Sequence, residues 1–440
     1  MNGLRKIGGL LLMLATMSSV ASAGTLSFAS DETVGTLRWK AGVVRLAVSV
    51  SLLRESSNIK RDSDVAGALK RSLDTWASVA DIEFQLANSD KLSVSPSGPA
   101  GDGVSLITIA QTPENVLLFS KDNESAAATT RVFYNRRGMI TEADIVLNPY
   151  EQFSTDGTLG TFDLESTLTH EIGHLLGLRH SLVLGSSMHS NYGRNGVFGL
   201  RSFSPRSLSA DDIAAVRAIY GVRDETNECC GAIEGKIAAT GRANARPQVW
   251  IEDADGRVNG SMEVAADGGY TFAGLNAGRY RVYVQGSGKQ KNIAGAELIG
   301  EAVVSAGQTT VANGKVSAIQ FRDVELTHIG LNGQLSDLAV QLNSGRMYTV
   351  YLGGRNLDPR RINLSFNSPY LSVLPGSIRS LDYGDEISVI SFDLRVQRGA
   401  PKGDYSIYVE SPTAAKRAMI GGLTIENSSE FAAGFVGFDE

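Results

Sequence analysis

The chain has 440 residues, with 47 acidic and 41 basic side chains, so its formal net charge at neutral pH is −6. This mildly acidic balance argues against nucleic acid as a partner and is ordinary for a soluble secreted protein. The length exceeds what one hydrophobic core supports, so about two to four domains are expected.

The first 23 residues have the three parts of a secretory signal. Arg5 and Lys6 form a basic start, residues 7–15 an apolar centre, and residues 21–23 (Ala-Ser-Ala) a cleavage site. A membrane anchor is the competing interpretation, but the apolar stretch is shorter than the roughly 20 residues that span a bilayer. We therefore predict a signal peptide over residues 1–23, a secreted protein (extracellular or periplasmic), and no integral membrane segment after signal removal. Loss of two basic residues takes the net charge from −6 to −8.

Strand and helix patterns alternate over residues 36–223, which predicts a mixed α/β domain within residues 24–223. The predicted strands are residues 43–53, 104–110, 131–134 and 140–147. The predicted helices are residues 65–79 with Ser63 or Asp64 as cap, a helix that begins after Asp163, and a helix from residues 209–212 to Gly221. The expected fold of this domain is a mixed twisted sheet with three helices.

Residues 170–180 read HEIGHLLGLRH. His170 and His174 are four residues apart, so they lie on one helix face and can share a metal ion. Gly177 can adopt the left-handed conformation that ends a helix, which brings His180 up as a third ligand. Three imidazoles with an open fourth position are typical of a catalytic zinc site. Glu171 borders the metal without ligating it, where the general base for a zinc-bound water must sit.

The alternative is an accidental pattern, because single histidines on apolar helices are usually core residues. Five fixed positions in eleven residues are hard to reach by chance, so the zinc site is favoured. Met188 follows in SSMHSNYG and suits a tight Met-turn that forms a floor beneath the metal. The hydroxyl of Tyr192 is expected to approach the metal or a developing oxyanion.

These motifs resemble the metzincin zinc endopeptidases, and within them the matrixin-like branch. The resemblance rests on His170, Glu171, His174, Gly177, His180, Ser181, Met188 and Tyr192, with residues 140–149 and 208–221 on either side. It implies one catalytic Zn²⁺, a protein or peptide substrate and hydrolysis without a covalent intermediate. Ser190 stands where matrixins have a proline, and no histidine precedes His170, so the structural zinc site of animal matrixins is not expected. Calcium is left open, because no acidic cluster is diagnostic of it.

The resemblance also implies where a substrate lies. An extended peptide would add itself to the edge strand at residues 129–134. Residues 190–207 would wall the pocket beyond the scissile bond. Their apolar members suggest an apolar lining, and they are Val197, Phe198, Leu200 and Phe203.

Beyond residue 223 the sequence becomes rich in glycine and short alternating strands, which predicts two all-β sandwich domains. Residues 231–316 contain DGGYTFAGLNAGRYRVYV, a predicted hairpin, and resemble carboxypeptidase-regulatory-like sandwiches. Residues 317–426 contain ISVISFDLRV and GDYSIYVES, which suit an immunoglobulin-like sandwich. Residues 427–440 are expected to form a C-terminal tail. Binding of substrate or of a surface is the expected role of these domains.

The two cysteines, Cys229 and Cys230, are adjacent. Neighbouring cysteines bridge to each other only with strain, so free thiols are favoured, with an intermolecular bridge or a vicinal ring as alternatives. A latency role through the zinc is disfavoured, because matrixins place such a cysteine ahead of the catalytic domain.

Two functions follow from the sequence. The first is a secreted zinc metalloendopeptidase with Glu171 as general base and His170, His174 and His180 as ligands. The second is an extracellular binding or adhesion protein with a latent or degenerate protease domain. The first is favoured, because degenerate enzymes usually lose the glutamate or a ligand and all four residues are present here.

Overall fold

The computed structural model describes residues 24–27, 36–40, 42–96, 101–119, 126–191, 193–199, 205–223, 229–240, 247–286, 295–317, 324–384, 386–411 and 414–426. The predicted export signal and the predicted C-terminal tail lie outside the described residues. Over the described ranges, no helix combines the length and the apolar character that crossing a membrane requires.

A seven-stranded mixed sheet carries the first part of the chain. Its strands are β1 (Gly24–Ser27), β2 (Arg38–Trp39), β3 (Val43–Ser49), β4 (Glu83–Ser89), β5 (Leu106–Thr108), β6 (Ala128–Tyr134) and β7 (Met139–Leu147). The order across the sheet is β1-β6-β7-β5-β3-β4, with β2 beside β7. Strands β3, β4, β5 and β7 are parallel to one another, whereas β6 runs antiparallel to β7. A separate two-stranded ladder pairs β8 (Phe153–Ser154) with β9 (Phe162–Asp163).

The helices of this part are α1 (Val50–Leu53), α2 (Val65–Ala77), α3 (Pro113–Val116), α4 (Leu164–Leu175) and α5 (Ala210–Tyr220). Each begins after a polar cap whose side chain accepts a backbone N–H of the first turn, and these caps are Ser49, Asp64, Thr112, Asp163 and Ser209. Helix α2 packs against α4, where the indole Nε1 of Trp76 donates to the carbonyl of Thr169 at 2.8 Å. The three longer helices are those expected from the sequence, and α1 and α3 add single turns.

The predicted strand over residues 43–53 is wrong beyond Ser49. The Ser49 hydroxyl accepts the N–H of Ser51 at 3.2 Å, which starts helix α1 and ends the strand. A stretch of four residues is too short for its periodicity to separate one helical turn from a strand. The strand predicted over residues 104–110 shortens to β5, and the one predicted over residues 131–134 begins earlier, at Ala128.

Two four-stranded sheets form the second part of the chain. Their strands are β10 (Cys229–Thr240), β11 (Gln248–Asp253), β12 (Val258–Glu263), β13 (Gly269–Asn276), β14 (Gly278–Gln285), β15 (Glu297–Val304), β16 (Thr309–Val311) and β17 (Gly314–Ser317). One sheet has the order β13-β10-β16 with β17 beside β10, and the other has the order β12-β11-β14-β15. A shared apolar core lies between them.

The hairpin predicted around the turn between β13 and β14 is wrong. Strand β13 pairs with β10, whereas β14 pairs with β11 and β15 in the other sheet. Tyr270 and Phe272 of β13 enter the same core as Val282 of β14. The apolar alternation is therefore satisfied by two sheets packed face to face, which the periodicity alone does not distinguish from two paired strands.

A six-stranded and a four-stranded sheet form the third part. Their strands are β18 (Glu325–Leu331), β19 (Gln334–Ser336), β20 (Val340–Asn343), β21 (Met347–Arg355), β22 (Asn363–Ser365), β23 (Leu371–Val373), β24 (Arg379–Leu381), β25 (Ser388–Val396), β26 (Gly403–Ser411) and β27 (Ala414–Glu426). The first sheet has the order β19-β18-β21-β25-β23 with β24 beside β25, and the second has the order β20-β27-β26-β22. Phe392 of β25 and Ile407 of β26 share one core, so the two sheets form a sandwich.

The two sandwiches contact each other through a buried polar cluster. The carboxylate of Glu252 accepts hydrogen bonds from the indole of Trp250 at 3.1 Å and from the hydroxyl of Tyr408 at 2.5 Å. Its other oxygen accepts from the amide of Asn367 at 2.8 Å. Because Trp250 and Glu252 belong to the second part and the other two residues to the third, this cluster joins the sandwiches.

Cys229 and Cys230 form a disulfide with each other. The expectation of free thiols is therefore wrong, and the vicinal ring that was the less favoured alternative is the one the structure contains.

Candidate metal centre

Helix α4 and the turn after it bring the three histidines of the motif together. His170 and His174 lie one turn apart on α4, and both are buried. Gly177 follows the helix with φ +96°, a conformation that favours glycine, and the chain then turns to place His180 beside them. The ligating nitrogens of the three side chains all lie within 4.8 Å of one another.

The hydrogen bonds of His170 and His174 leave the Nε2 atom of each ring available to bind a metal. The Nδ1 of His170 bonds to the carbonyl of Ser187 at 2.6 Å, and the Nδ1 of His174 bonds to that of Leu178 at 2.9 Å. Since a carbonyl only accepts, each Nδ1 carries the proton and each Nε2 presents a lone pair.

These lone pairs point at one another across short distances. The Nε2 of His174 is 2.9 Å from that of His170 and 3.2 Å from that of His180. Such lone pairs repel unless a cation lies among them, and tetrahedral Zn²⁺ would separate its nitrogen ligands by about 3.3 Å. The donor set therefore fits zinc.

The environment also keeps the imidazoles neutral. Burial, followed by the neighbouring histidines, lowers the pKa of His170 far below its usual value. The same causes lower the pKa of His174 to about 3, and burial beside His189 lowers that of His180 to about 4. Neutral imidazole is the form that binds metals, so the site is ready for one at neutral pH.

Glu171 is buried beside the cluster and is held by the sheet. The hydroxyl of Thr130, on β6, donates to the Oε2 of Glu171 at 2.5 Å and lies 3.1 Å from its backbone oxygen. Thr130 therefore links the carboxylate to the strand along which a substrate is expected. The sequence offered no signal for this contact, because 41 residues separate the partners.

Met188 is buried and packs on helix α4 at Gly173. A methyl group at Gly173 would overlap the Met188 sulfur and lie 2.9 Å from Cζ2 of Trp76. The thioether thus fills the space that the missing side chain of Gly173 leaves against helix α4.

Two substitutions test this packing. Met188→Leu keeps the volume, so we expect little loss of activity and a change in unfolding free energy below about 1.5 kcal/mol. Gly173→Ala inserts an atom where none fits, so we expect destabilisation by about 1–3 kcal/mol. Thermal unfolding and casein cleavage measure both effects. Complete inactivation of a folded Met188→Leu protein would show that the sulfur has a role besides packing.

Asp212 holds the turn that carries Met188. Its carboxylate accepts the hydroxyl of Ser186 at 2.5 Å, the N–H of Ser187 at 2.9 Å and the N–H of Ser209 at 2.9 Å. From the sequence, Asp212 was assigned only to a helix cap. It does close the capping box of α5, but it also fixes the segment whose carbonyl orients His170.

Buried acidic residues lie near this turn, where the first part of the chain meets the sandwiches. Asp211 accepts the hydroxyl of Ser181 at 2.6 Å, and Asp404 of the third part accepts that of Thr424 at 2.7 Å. Burial, with the charge of Asp212, raises the pKa of Asp211 to about 7. Burial, with the nearby Asp212, Glu426 and Asp211, raises the pKa of Asp404 to about 7.

These raised pKa values predict that stability falls with rising pH. The unfolded carboxyls release their protons near pH 4, whereas Asp211 and Asp404 keep theirs in the folded state up to about pH 7. Unfolding therefore releases protons between pH 4 and pH 7. The contribution of Asp211 and Asp404 to the free energy of unfolding is full below pH 4 and lost by about pH 7. We expect Asp404→Asn to have the same free energy of unfolding as the parent at pH 4. At pH 8 we expect its free energy of unfolding to be higher than that of the parent, by on the order of 1–4 kcal/mol.

Thermal unfolding at both pH values measures this difference. Asp393→Asn is the control, because Asp393 accepts a threonine hydroxyl at 2.8 Å at the surface of the same sandwich. An equal effect of Asp404→Asn at both pH values would contradict the assignment of a buried, protonated carboxyl.

Two expectations about the substrate path change. Strand β1 pairs antiparallel with residues 131–134 of β6, so part of the predicted substrate edge is covered by the chain itself. Phe198 does not line an open pocket, because its side chain is fully buried in the core of the third part, and Val197 packs against the same core. Tyr192, Leu200 and Phe203 lie outside the described residues.

Three neutral imidazoles beside a buried carboxylate define a three-histidine centre that could hold a metal ion. Residues 111–221 match the Peptidase_M10 family model, described as Matrixin. The chain therefore contains a matrixin-like metzincin domain.

The chain is also similar in sequence to curated metalloproteinases. Metalloendoproteinase 1 of Glycine max is 26% identical over 195 residues, which cover 42% of this chain and 53% of that protein. Interstitial collagenase of Oryctolagus cuniculus is 23% identical over 40% of this chain and 32% of its own length. Matrilysin of Mus musculus is 36% identical over 17% of this chain and 26% of its own length. The chain thus spans between about a quarter and about half the length of these relatives.

Among solved structures, the major pilin subunit BcpA of Bacillus cereus is 14% identical over 44% of this chain and 69% of that chain, with a TM-score of 0.17. A likeness at this level carries no argument about the fold.

Proposed function

We propose that the protein is a secreted zinc metalloendopeptidase that hydrolyses peptide bonds in extended protein substrates. The observation that carries the proposal is the convergence of three imidazole Nε2 atoms beside the buried Glu171. The matrixin match over residues 111–221 supports it. A zinc ion held by His170, His174 and His180 would supply an activated water and polarise the peptide carbonyl.

The protein's own residues then handle the protons. Glu171 accepts a proton from the attacking water and delivers it to the leaving amine. Thr130 keeps the Glu171 carboxylate in place through its 2.5 Å hydrogen bond. Tyr192 is proposed to help stabilise the oxyanion, as the family resemblance implies. The complete constellation argues against the alternative of a degenerate protease domain that serves only in adhesion.

Casein cleavage by the full chain tests the proposal. We expect dialysis against a zinc chelator to abolish cleavage, and about one equivalent of Zn²⁺ to restore it. Cleavage that persists after the metal has been removed, with zinc content verified, would refute a zinc-dependent enzyme. Calcium would be added separately, because no described cluster assigns it a site.

We further propose that substrates pair with the β6 edge in the manner of β1. Strand β1 shows that an extended segment can lie antiparallel on this edge, opposite residues 131–134. The C-terminal end of β1 lies opposite Arg131, next to Thr130, which bonds to Glu171. A substrate that runs in the same direction would therefore place its scissile bond near the metal centre.

Removal of β1 should therefore favour substrate binding. We compare chains that begin at residues 24 and 28, and we expect the shorter chain to have a lower KM, by roughly two- to tenfold, at unchanged kcat. The physical reason is that a tethered segment no longer competes for the same backbone groups. The same KM in both chains, with equal thermal stability, would contradict this location of the substrate.

A further inference from the structure

The segment that follows the Met-turn is held from two sides. On the catalytic side, Arg194 donates to Glu151 at 2.6 Å and lies over the ring of Phe162 at 4.3 Å. The N–H of Gly160 donates to the carbonyl of Asn195 at 2.9 Å. These contacts fix the near edge of the segment to the ladder of β8 and β9.

The hairpin of β18 and β19, in the third part, holds the other side. The N–H of Phe198 donates to the Oε1 of Gln334 at 2.7 Å. The side-chain amide of Asn332 donates to the carbonyl of Phe198 at 2.7 Å. Both backbone polar groups of Phe198 are thus bonded to the sandwich.

Phe198 itself is anchored in that sandwich. Its side chain is fully buried among core residues that include Val324 and Ile329. Its φ is +59°, in the left-handed region that a bulky side chain rarely adopts. Such a conformation persists only where the surroundings hold it, and here the surroundings are the hairpin and the sandwich core.

A small cavity lies beside the same segment, where the first part of the chain meets the third. Its catalytic side includes Ser187, whose carbonyl bonds to His170, and Asn191, which donates to Asp337 at 2.6 Å. Its far side is formed by Leu338, Ala339 and Gln341 of the third part. None of the described residues that line it is a carboxylate, a lysine or an arginine.

We propose that the third sandwich sets the cleavage specificity of this enzyme. Asn332, Gln334 and Asp337 are positioning residues that fix the wall of the pocket for the substrate side chain after the scissile bond, and the small cavity with its uncharged lining selects a small neutral side chain. This inference rests on the proposed peptidase function and adds to it a role for a domain outside the matrixin match.

The test compares Gln334→Ala with Gln334→Glu in the full chain. Gln334 is exposed, so its replacement leaves the core intact, and glutamate keeps the oxygen that accepts from Phe198. Gln397→Ala is the matched control, since it removes a side-chain bond to Pro369 within the same sandwich. One readout is hydrogen exchange of the peptide that contains Phe198. The other is kcat/KM for two peptides that differ only in alanine or phenylalanine after the scissile bond.

We expect Gln334→Ala to speed exchange at Phe198 and to reduce the preference for alanine over phenylalanine by about tenfold. Gln334→Glu and Gln397→Ala should match the parent in both readouts. Unchanged exchange, an unchanged preference, or an equal loss on both peptides would each overturn the inference. A parent that cleaves neither peptide nor casein would instead refute the proposed peptidase function, and the exchange data would still report separately whether the hairpin holds the segment.

Discussion

Glu171→Ala should keep one bound zinc and lose peptide cleavage by a factor of about 10²–10⁴. The three histidines proposed to hold the metal are untouched, whereas the carboxylate proposed to move the proton is gone. The loss of cleavage is measured with casein and as kcat/KM on a peptide. The retention of the metal is measured as zinc content per chain. Thr130→Val should lower kcat more modestly with KM retained, because it leaves the carboxylate present but removes its 2.5 Å hydrogen bond.

Glu165→Gln is the matched control for Glu171. Glu165 lies on the same helix and is also buried, but its carboxylate pairs with Arg71 at 2.8 Å. We expect this variant to lose stability and to keep cleavage at a temperature where it remains folded. Substantial turnover by Glu171→Ala, above the level of residual catalysis, would remove Glu171 from the role of general base.

His174→Ala should lose zinc and all activity. His174 is the central member of the histidine cluster, with its Nε2 2.9 Å from that of His170 and 3.2 Å from that of His180. Its loss leaves two imidazoles that no longer surround a tetrahedral ion, so we expect zinc affinity to fall at least about 100-fold. Competition with a zinc-binding dye measures the affinity.

His328→Ala is the control for that experiment, because His328 lies on β18, in the third part. It should bind one zinc with the parental affinity. A His174→Ala protein that still binds one equivalent tightly would break the assignment of the three ligands.

The sequence predicted the centre of the site because local geometry determines it. The four-residue spacing of His170 and His174 specifies one helix face, and the glycine at position 177 allows the positive φ observed there. The caps at Asp163 and Ser209 were predicted correctly for the same reason, since a cap satisfies N–H groups of its own helix. The roles of His170, His174 and His180 as metal ligands stay predictions. So do the roles of Glu171, Met188 and Tyr192 at the site.

What the sequence left open depends on partners that are distant along the chain. Residues 50–53 form a helical turn rather than a strand, and β13 and β14 lie in different sheets rather than in one hairpin. In both places the pattern showed which side chains are apolar, and only the packing decided what they lie against.

The surroundings of the metal centre illustrate this limit most clearly. The bond from Thr130 to Glu171 spans 41 residues, and the bond from Phe198 to Gln334 spans 136. The sequence by itself determined which three histidines come together, because neighbouring residues on one helix and its turn supply them. Only the tertiary structure decided which strand holds the carboxylate and which domain holds the segment around Phe198, because those contacts form when separately patterned segments bury their surfaces together.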